Sequence, residues 1–544
     1  MTELEKQLDK ELNPEQYFSA IHMRGPAVIA AGAGSGKTHT LISRIMHLVD
    51  CSVDPKRIIM LTFTNAASDE MKNRASNVNE DCQKILATTY HKYCSMLLRK
   101  YGTAIGIRPS FETLTPAKYR TFIEYVKSRT EYENLENFPS SSKLSAVYSI
   151  MTNTTIPISK LIAGTSYELY EEQILDLHKQ VKECGLSLEQ QVLDFDDLLV
   201  YANKLLENEE ICKKVANSFD YLMIDEFQDT NHLQLEFLKK LGQYNWNIVI
   251  VGDVSQSIYK FRGAEATNIQ KFCDYFSKFT ECKTYYLNIN YRSTQEILDA
   301  ANAVMNEHVK SWDYLDMYSE DVHGDKPLIK RHFDVADQNN WLVNKIEQWH
   351  ASGINYSDIA IIERRSISSF KLESDLLRSN IAYEKRGGKK LTEYQCVDEL
   401  ISFLHIVEDE SRANTFEWFN VFKLLPGVGN KAATDLSNDI NNKEFLVKYS
   451  RKKYFSEIET LFSNVDILSK AKLTLSPDEL INEVAKCYFD LRKKKIELSR
   501  MSSSAKFDAK EKIESDQKVI SAVSSLATYY STLEEFLEDM ALNS

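Results

Sequence analysis

The sequence predicts an α/β protein whose first half is organised on a parallel β-sheet, and three observations predict it. Apolar runs of strand length recur at residues 26–30, 57–63, 85–88, 219–224 and 246–251; they end in polar residues; and helical apolar spacing separates them. Strands alternating with helices make parallel crossovers, and such sheets bind ligands at the carboxyl ends of their strands. The polar endings collect on that edge.

The first run leads into Ala31-Gly32-Ala33-Gly34-Ser35-Gly36-Lys37-Thr38 and then into His39-Thr40-Leu41-Ile42-Ser43-Arg44-Ile45, which has helical spacing. Strand, glycine-rich turn and helix in this order make a phosphate-binding loop. The glycines let the backbone wrap round an anion with its N–H groups pointing inward, and the helix offers its positive end. Lys37 places a cation on the outer phosphates, and Thr38 is positioned to hold Mg²⁺ through its hydroxyl. The first position is Ala31, where the simplest form of the pattern has glycine.

A chain of 544 residues exceeds the size at which one core stops growing, so several domains are expected. A net charge of -13 excludes a surface that is basic all over and leaves room for a local basic groove. The 9 cysteines are scattered with no C-x-x-C pair, which excludes a zinc ribbon or an iron–sulfur cluster and suits a reducing cytosol. Residues 1–15 are charged, without an apolar signal core, and no later run is long enough to span a membrane; a cytoplasmic protein is expected.

Taken in order, Leu12-Asn13-Pro14-Glu15-Gln16 reads as a helix start, with Asn13 as cap and Pro14 at the first position. The strand at 57–63 ends in Thr64-Asn65-Ala66-Ala67 and a helix; that at 85–88 runs into Thr89-Tyr90-His91 and a helix over 92–100. From about 105 to 190 the alternation gives way to helices with Pro and Ser breaks, an inserted helical subdomain. The sheet then resumes. After Tyr285-Tyr286-Leu287 a second α/β segment begins, its clearest strand at 358–362, and from about 390 the pattern is helical.

Two more segments belong to the ligand edge. Met223-Ile224-Asp225-Glu226-Phe227-Gln228-Asp229-Thr230 leaves a strand with paired carboxylates; Asp225 can hold Mg²⁺ through water, and Glu226 can orient and deprotonate the water that attacks ATP. Val251-Gly252-Asp253-Val254-Ser255-Gln256-Ser257-Ile258-Tyr259-Lys260-Phe261-Arg262-Gly263-Ala264 carries Gln256, able to hydrogen-bond a terminal phosphate, beside Tyr259 and Phe261, whose faces suit base stacking.

Together with Leu61-Thr62-Phe63-Thr64-Asn65, Asp194-Phe195-Asp196-Asp197-Leu198 and Asn290-Tyr291-Arg292-Ser293, these motifs closely resemble the UvrD/Rep/PcrA-type superfamily 1 DNA helicases. The resemblance is strong from Leu12 to Gly388 and weaker beyond. It implies a first RecA-like domain over 1–105 and 190–285, a helical insertion over 106–189, the first half of a second RecA-like domain over 286–388 and a helical accessory domain over 389–544. It also implies ATP and Mg²⁺ as ligands, single-stranded DNA and duplex junctions as partners, and 3′ to 5′ movement. Gln16 would read the adenine edge, Tyr291 would stack on the base and Arg292 would meet charge on the γ-phosphate, while Phe63, Asn65, His91, Tyr259 and Phe261 fall where the family contacts DNA. His39 stands where the family usually has arginine.

The family's later Thr-His-x-x-Lys-Gly-Leu-Glu and Thr-Arg-Ala segments do not occur in the sequence, so it reads as lacking the C-terminal motifs. That reading expects a truncated or split motor, completed by a second polypeptide, or a nucleotide-gated DNA-binding or assembly component without unwinding activity. Leu425-Pro426-Gly427-Val428-Gly429-Asn430-Lys431 reads equally as a phosphate-facing helical hairpin or a plain turn, and Lys493-Lys494-Lys495 as a solvated helix face.

Overall fold

The computed structural model describes residues 2–542 apart from 136–137, 309–314, 321, 365, 388–390, 412, 500 and 502. The chain divides into two compact units, residues 1–133 with 138–329, and residues 134–137 with 330–544. The expected boundary at 388/389 lies outside the described residues.

The first unit opens with α1 (Glu3–Glu11), α2 (Pro14–Ala20), β1 (Ala27–Ala31), α3 (Lys37–Asp50), β2 (Ile58–Thr62), α4 (Asn65–Val78), β3 (Leu86–Thr89) and α5 (Tyr90–Tyr101). A mainly helical stretch follows, with β4 (Glu112–Thr113), α6 (Pro116–Lys127), α7 (Ser141–Asn153), α8 (Ile158–Ile162), α9 (Glu171–Ser187) and β5 (Val192–Leu193). The chain returns through α10 (Phe195–Leu205), α11 (Glu209–Ala216), β6 (Tyr221–Ile224), α12 (His232–Gly242), β7 (Ile248–Gly252), α13 (Asn268–Phe276), β8 (Lys283–Leu287), β9 (Ile289–Asn290), α14 (Gln295–His308) and β10 (Tyr318–Ser319). The short parallel pair of β4 with β5 joins the two ends of the helical stretch.

Six strands form one parallel sheet in the order β3-β2-β6-β7-β1-β8. Side-chain alternation divides its residues between two cores. Val28, Ile59, Leu61, Leu222, Ile224, Ile248 and Ile250 pack with α5, α10, α12 and α13, while Ile29, Met60, Met223, Val249 and Val251 pack with α3 and α4. Covering both faces is why these strands read as unbroken apolar runs. The register sets Leu61 beside Ile224 and Ala30 beside Gly252, so the loops that leave β2, β6, β7 and β1 emerge together.

The start of the chain is fixed to the phosphate loop from behind. Asn13 caps α2 with Pro14 in its first turn, as the sequence predicts, and Gln16 completes a reciprocal capping box with Asn13. Arg44 of α3 is fully buried and donates to the carbonyls of Ser19 and Ala20 at 3.4 Å, and to that of His22. A cation at the C-terminal end of α2 complements its dipole there. Burial pulls its pKa down to about 10.

The second unit is helical, with Trp418, Phe403, Leu400, Tyr488 and Phe536 in its core. Two expectations are corrected in it. Residues 358–362 form no strand: Ile362 is 94% exposed, and no described residue of 330–544 lies in a strand that could supply a ladder. An apolar run without a partner strand leaves its backbone to water. Nor is Lys495 a solvated lysine. Its ammonium is half-buried and donates to the carbonyls of Lys423 and Val428, pinning the turn between the helices Thr415–Phe422 and Asn430–Asp439, while Lys494 pairs with Glu457 at 2.7 Å. Among the described residues no helix is long and apolar enough to cross a membrane.

Candidate nucleotide and nucleic-acid site

The loop after β1 folds as its residue types require. Gly34 (φ 69°) and Gly36 (φ 82°) are left-handed, and the buried Ser35 hydroxyl donates to the Gly32 carbonyl at 2.8 Å. The segment after β8 lies directly on it. Tyr291 N–H donates to the Gly34 carbonyl at 3.0 Å, and the Asn290 amide to that of Ala33 at 2.5 Å. A Cβ on Gly34 would come 2.7 Å from Asn290 Nδ2 and 2.9 Å from Arg292 Cβ. Gly34→Ala therefore meets both strain and a clash. Its affinity for a fluorescent ATP analogue is expected to fall at least tenfold, read by titration.

Gln16 and Tyr291 are brought to this loop from opposite ends of the unit. Gln16 is buried; its Nε2 donates to the Ser35 carbonyl at 2.9 Å and its Oε1 accepts the Asn13 N–H at 3.2 Å. The Asn13 amide donates to the Tyr291 hydroxyl at 2.8 Å, and the Tyr291 ring is 56% exposed, its faces open to stacking. Gln16 thus acts here first as a brace for the loop. Met317 is a contact the sequence did not signal: a Cβ on Gly32 would fall 1.9 Å from its Sδ. His39 is exposed and Thr38 half-buried in the first turn of α3.

The acidic segment after β6 faces the loop. Lys37 Nζ lies 3.6 Å from Glu226 Oε2 and has no hydrogen-bond partner among the described residues. Glu226 itself is left-handed at φ 52°, an unfavourable conformation for a side chain of its size that turns the chain off the strand end. Asp225 is buried, and its Oδ1 also has no partner among the described residues. Burial and then the neighbouring Glu226 charge push its pKa up to about 7, and the same two causes raise Asp229 to about 6. A buried carboxylate oxygen and a buried ammonium, both unbonded and next to a loop of inward N–H groups, form a site suited to a phosphate chain and its cation.

Gln228, which the sequence reading left without a role, links this segment to the next. Its Nε2 donates to Glu226 Oε2 at 2.8 Å, and its Oε1 accepts the Asp253 N–H at 2.9 Å. Asp253 in turn accepts Gln256 Nε2 at 2.7 Å. A chain of amides and carboxylates therefore runs from Glu226 to Gln256 across the β6–β7 edge. No sequence signal isolates Gln228, because its role comes from β6 and β7 being neighbours in the sheet.

The stacking candidates gather beyond that chain. Phe63, after β2, lies on Tyr259 with ring centroids 5.0 Å apart and planes at 27°, and Phe261 follows at 5.9 Å. His91, after β3, meets the edge of Phe195 at 5.7 Å, and burial lowers its pKa, which keeps it neutral at neutral pH. Asn65 is exposed at the first turn of α4. A cavity of about 1090 Å³ opens instead at the opposite edge, near Arg24, Asp220, Asn247 and Lys283, and includes none of the predicted site residues.

A parallel sheet with a glycine-rich phosphate loop after β1, an Asp-Glu pair after β6, two strands away, and exposed aromatics on the same edge defines a P-loop nucleotide-binding protein. Family comparison agrees and goes further. Residues 12–277 match the UvrD/REP helicase N-terminal domain and residues 285–544 the UvrD-like helicase C-terminal domain, and the chain belongs to this family. It is 30% identical over 502 residues to the ATP-dependent DNA helicase PcrA of Staphylococcus epidermidis, covering 88% of this chain and 66% of that protein. It is 28% identical over 548 residues to a probable DNA helicase II homolog of Mycoplasma capricolum, covering 97% of this chain and 71% of that one.

The match of residues 285–544 to the UvrD-like helicase C-terminal domain does not bear out the reading that the chain lacks the C-terminal motifs. That expectation rested on two short motif strings, whereas the match extends over the whole region from residue 285, helices included. A second polypeptide completing the motor likewise finds no support: Lys37, Asp225, Glu226, Gln256, Tyr291 and Arg292 all belong to one compact unit of this chain.

Proposed function

We propose that this chain hydrolyses ATP to move on single-stranded DNA, as the motor of a 3′ to 5′ DNA helicase working at duplex junctions in the cytoplasm. The observation that carries the reading is the order of groups along one sheet edge. Nucleotide-facing residues follow β1 and β8, the carboxylates and Gln256 follow β6 and β7, and the aromatics follow β2, β3 and β7. The similarity to PcrA, an ATP-dependent DNA helicase, supports it over a component without unwinding activity.

In this reading the loop N–H groups and Lys37 hold the phosphates, and Tyr291 stacks on the base while Gln16 keeps the loop in shape beneath it. Thr38 and Asp225 would hold Mg²⁺, which when bound neutralises charge on the phosphate oxygens. Glu226 accepts a proton from the attacking water, Gln256 contacts the γ-phosphate, and Arg292 stabilises charge that develops there. Phe63, Asn65, His91, Tyr259 and Phe261 face DNA. Stacking on aromatic faces is sequence-tolerant, as a motor that steps along any sequence requires. The domain division at 105/106, 189/190 and 285/286 belongs to the same proposal.

The deciding experiment is ATPase activity with and without oligo-dT, in the wild-type chain and in Lys37→Ala. Stimulation by DNA that Lys37→Ala removes is expected; activity unchanged by the substitution would overturn the assignment. Phe63→Ala tests the DNA side. Loss of one stacking platform, worth roughly 1–3 kcal/mol per base, should weaken oligo-dT binding about five- to a hundredfold by anisotropy. Since Phe63 is 38% exposed, its thermal unfolding should barely move.

A further inference from the structure

The helical stretch between β4 and β5 meets the hydrolytic segment through one buried amide. Asn153 closes α7 and is 5% exposed. Its Oδ1 accepts Asn231 Nδ2 at 2.7 Å, and its Nδ2 donates to Asp196 Oδ1 at 2.7 Å and to the Ser149 carbonyl at 2.9 Å. Asn231 directly follows the segment of Asp225, Glu226 and Asp229 and caps α12, its Oδ1 accepting the Gln234 N–H at 2.9 Å. Asp196 lies in the first turn of α10, next to Phe195, whose ring meets His91.

The Asn153 backbone engages a third segment. A Cβ on Gly263 would come 2.8 Å from the Asn153 carbonyl oxygen, so the end of the loop carrying Tyr259 and Phe261 is packed on α7. The same loop is stitched to the hydrolytic segment, because the Thr230 carbonyl accepts both the Glu265 N–H at 3.1 Å and Asn268 Nδ2 at 2.9 Å. Three segments with different partners in the proposed reaction therefore share one buried polar junction. An apolar side chain would fill the space without holding any orientation. A fully bonded buried amide fixes one geometry and makes departures from it costly.

We propose that Asn153 is a positioning residue that couples DNA on the aromatic loops to nucleotide at the phosphate loop, by holding Asn231, Asp196 and the end of the 259–263 loop in one arrangement. The inference rests on the functional reading above. It assigns to the helical stretch a part in transmitting binding between the two sites.

Coupling between two binding sites is a factor by which each ligand changes the other's affinity, typically 5- to 150-fold. The test measures oligo-dT affinity of the full chain with and without a non-hydrolysable ATP analogue, in wild type, Asn153→Leu and Asn231→Asp. The last keeps the oxygen that caps α12 and loses the donor to Asn153, so it reports even where Asn153→Leu fails to fold. The wild type should show at least fivefold coupling. Each variant should bring it below twofold with the two separate affinities within about threefold, and the double variant should add nothing further. Wild-type coupling retained in Asn231→Asp, or in a folded Asn153→Leu, overturns the inference. A wild-type chain that binds neither ligand overturns the functional reading, and the coupling with it, before any variant is made.

Discussion

Replacing Glu226 by Gln is expected to lower ATP turnover about 10²–10⁴-fold, the usual contribution of a positioned proton acceptor, while nucleotide binding holds or tightens. The substitution is nearly isosteric, and its side-chain oxygen can still accept from Gln228, which donates to Glu226 at 2.8 Å. The left-handed backbone at φ 52° is unchanged in kind. What is lost is the base, and with it the carboxylate 3.6 Å from Lys37 Nζ. A lysine released from that competition is freer to meet phosphate. The Glu226 charge also raises both Asp225 and Asp229, so its removal should let both carboxyls ionise at lower pH. Steady-state hydrolysis alongside titration of a fluorescent ATP analogue checks the pair of effects. Turnover within tenfold of wild type would mean that another group accepts the proton.

The parts of the site that were legible in the sequence are those encoded by contiguous residues. A strand buried on both faces writes itself as an apolar run, a phosphate loop needs its glycines in a fixed order, and Asn13 followed by Pro14 announces a helix start. What stayed hidden depends on which elements become neighbours. Gln228 matters because β6 and β7 are adjacent, Met317 because the chain after α14 returns onto Gly32, and Asn153 because α7 ends against α12. The run at 358–362 has the pattern of a strand, and pattern alone does not supply a partner ladder. Lys495 failed in the opposite sense. Three consecutive lysines suggest solvent, yet a helix turns each one by about 100°, which sends Lys494 to Glu457 and Lys495 inward to carbonyl oxygens.

Asp225→Asn should separate stability from activity through pH. The wild-type carboxyl is raised from its ordinary 3.8 to about 7, chiefly by burial and next by Glu226. A raised folded-state value means that the neutral carboxyl is the form the fold prefers. The stability this contributes is fully present below the ordinary value and is lost as pH rises through about 7. Wild-type protein without nucleotide should therefore lose stability between about pH 4 and pH 7, with Asp229, raised to about 6, adding in the same direction. Asparagine stays neutral throughout. At pH 8 the variant should be the more stable protein, by up to roughly 4 kcal/mol if the whole shift is realised, and the advantage should shrink to nothing near pH 4. Urea unfolding at pH 4.5, 6 and 8 reads this directly. A constant difference across that range would show that Asp225 is ionised in the folded protein at every pH tested. ATP hydrolysis by the variant should be lost even where its fold is most stable, because the charge that strains the empty fold is the one that the cation of a bound nucleotide would offset.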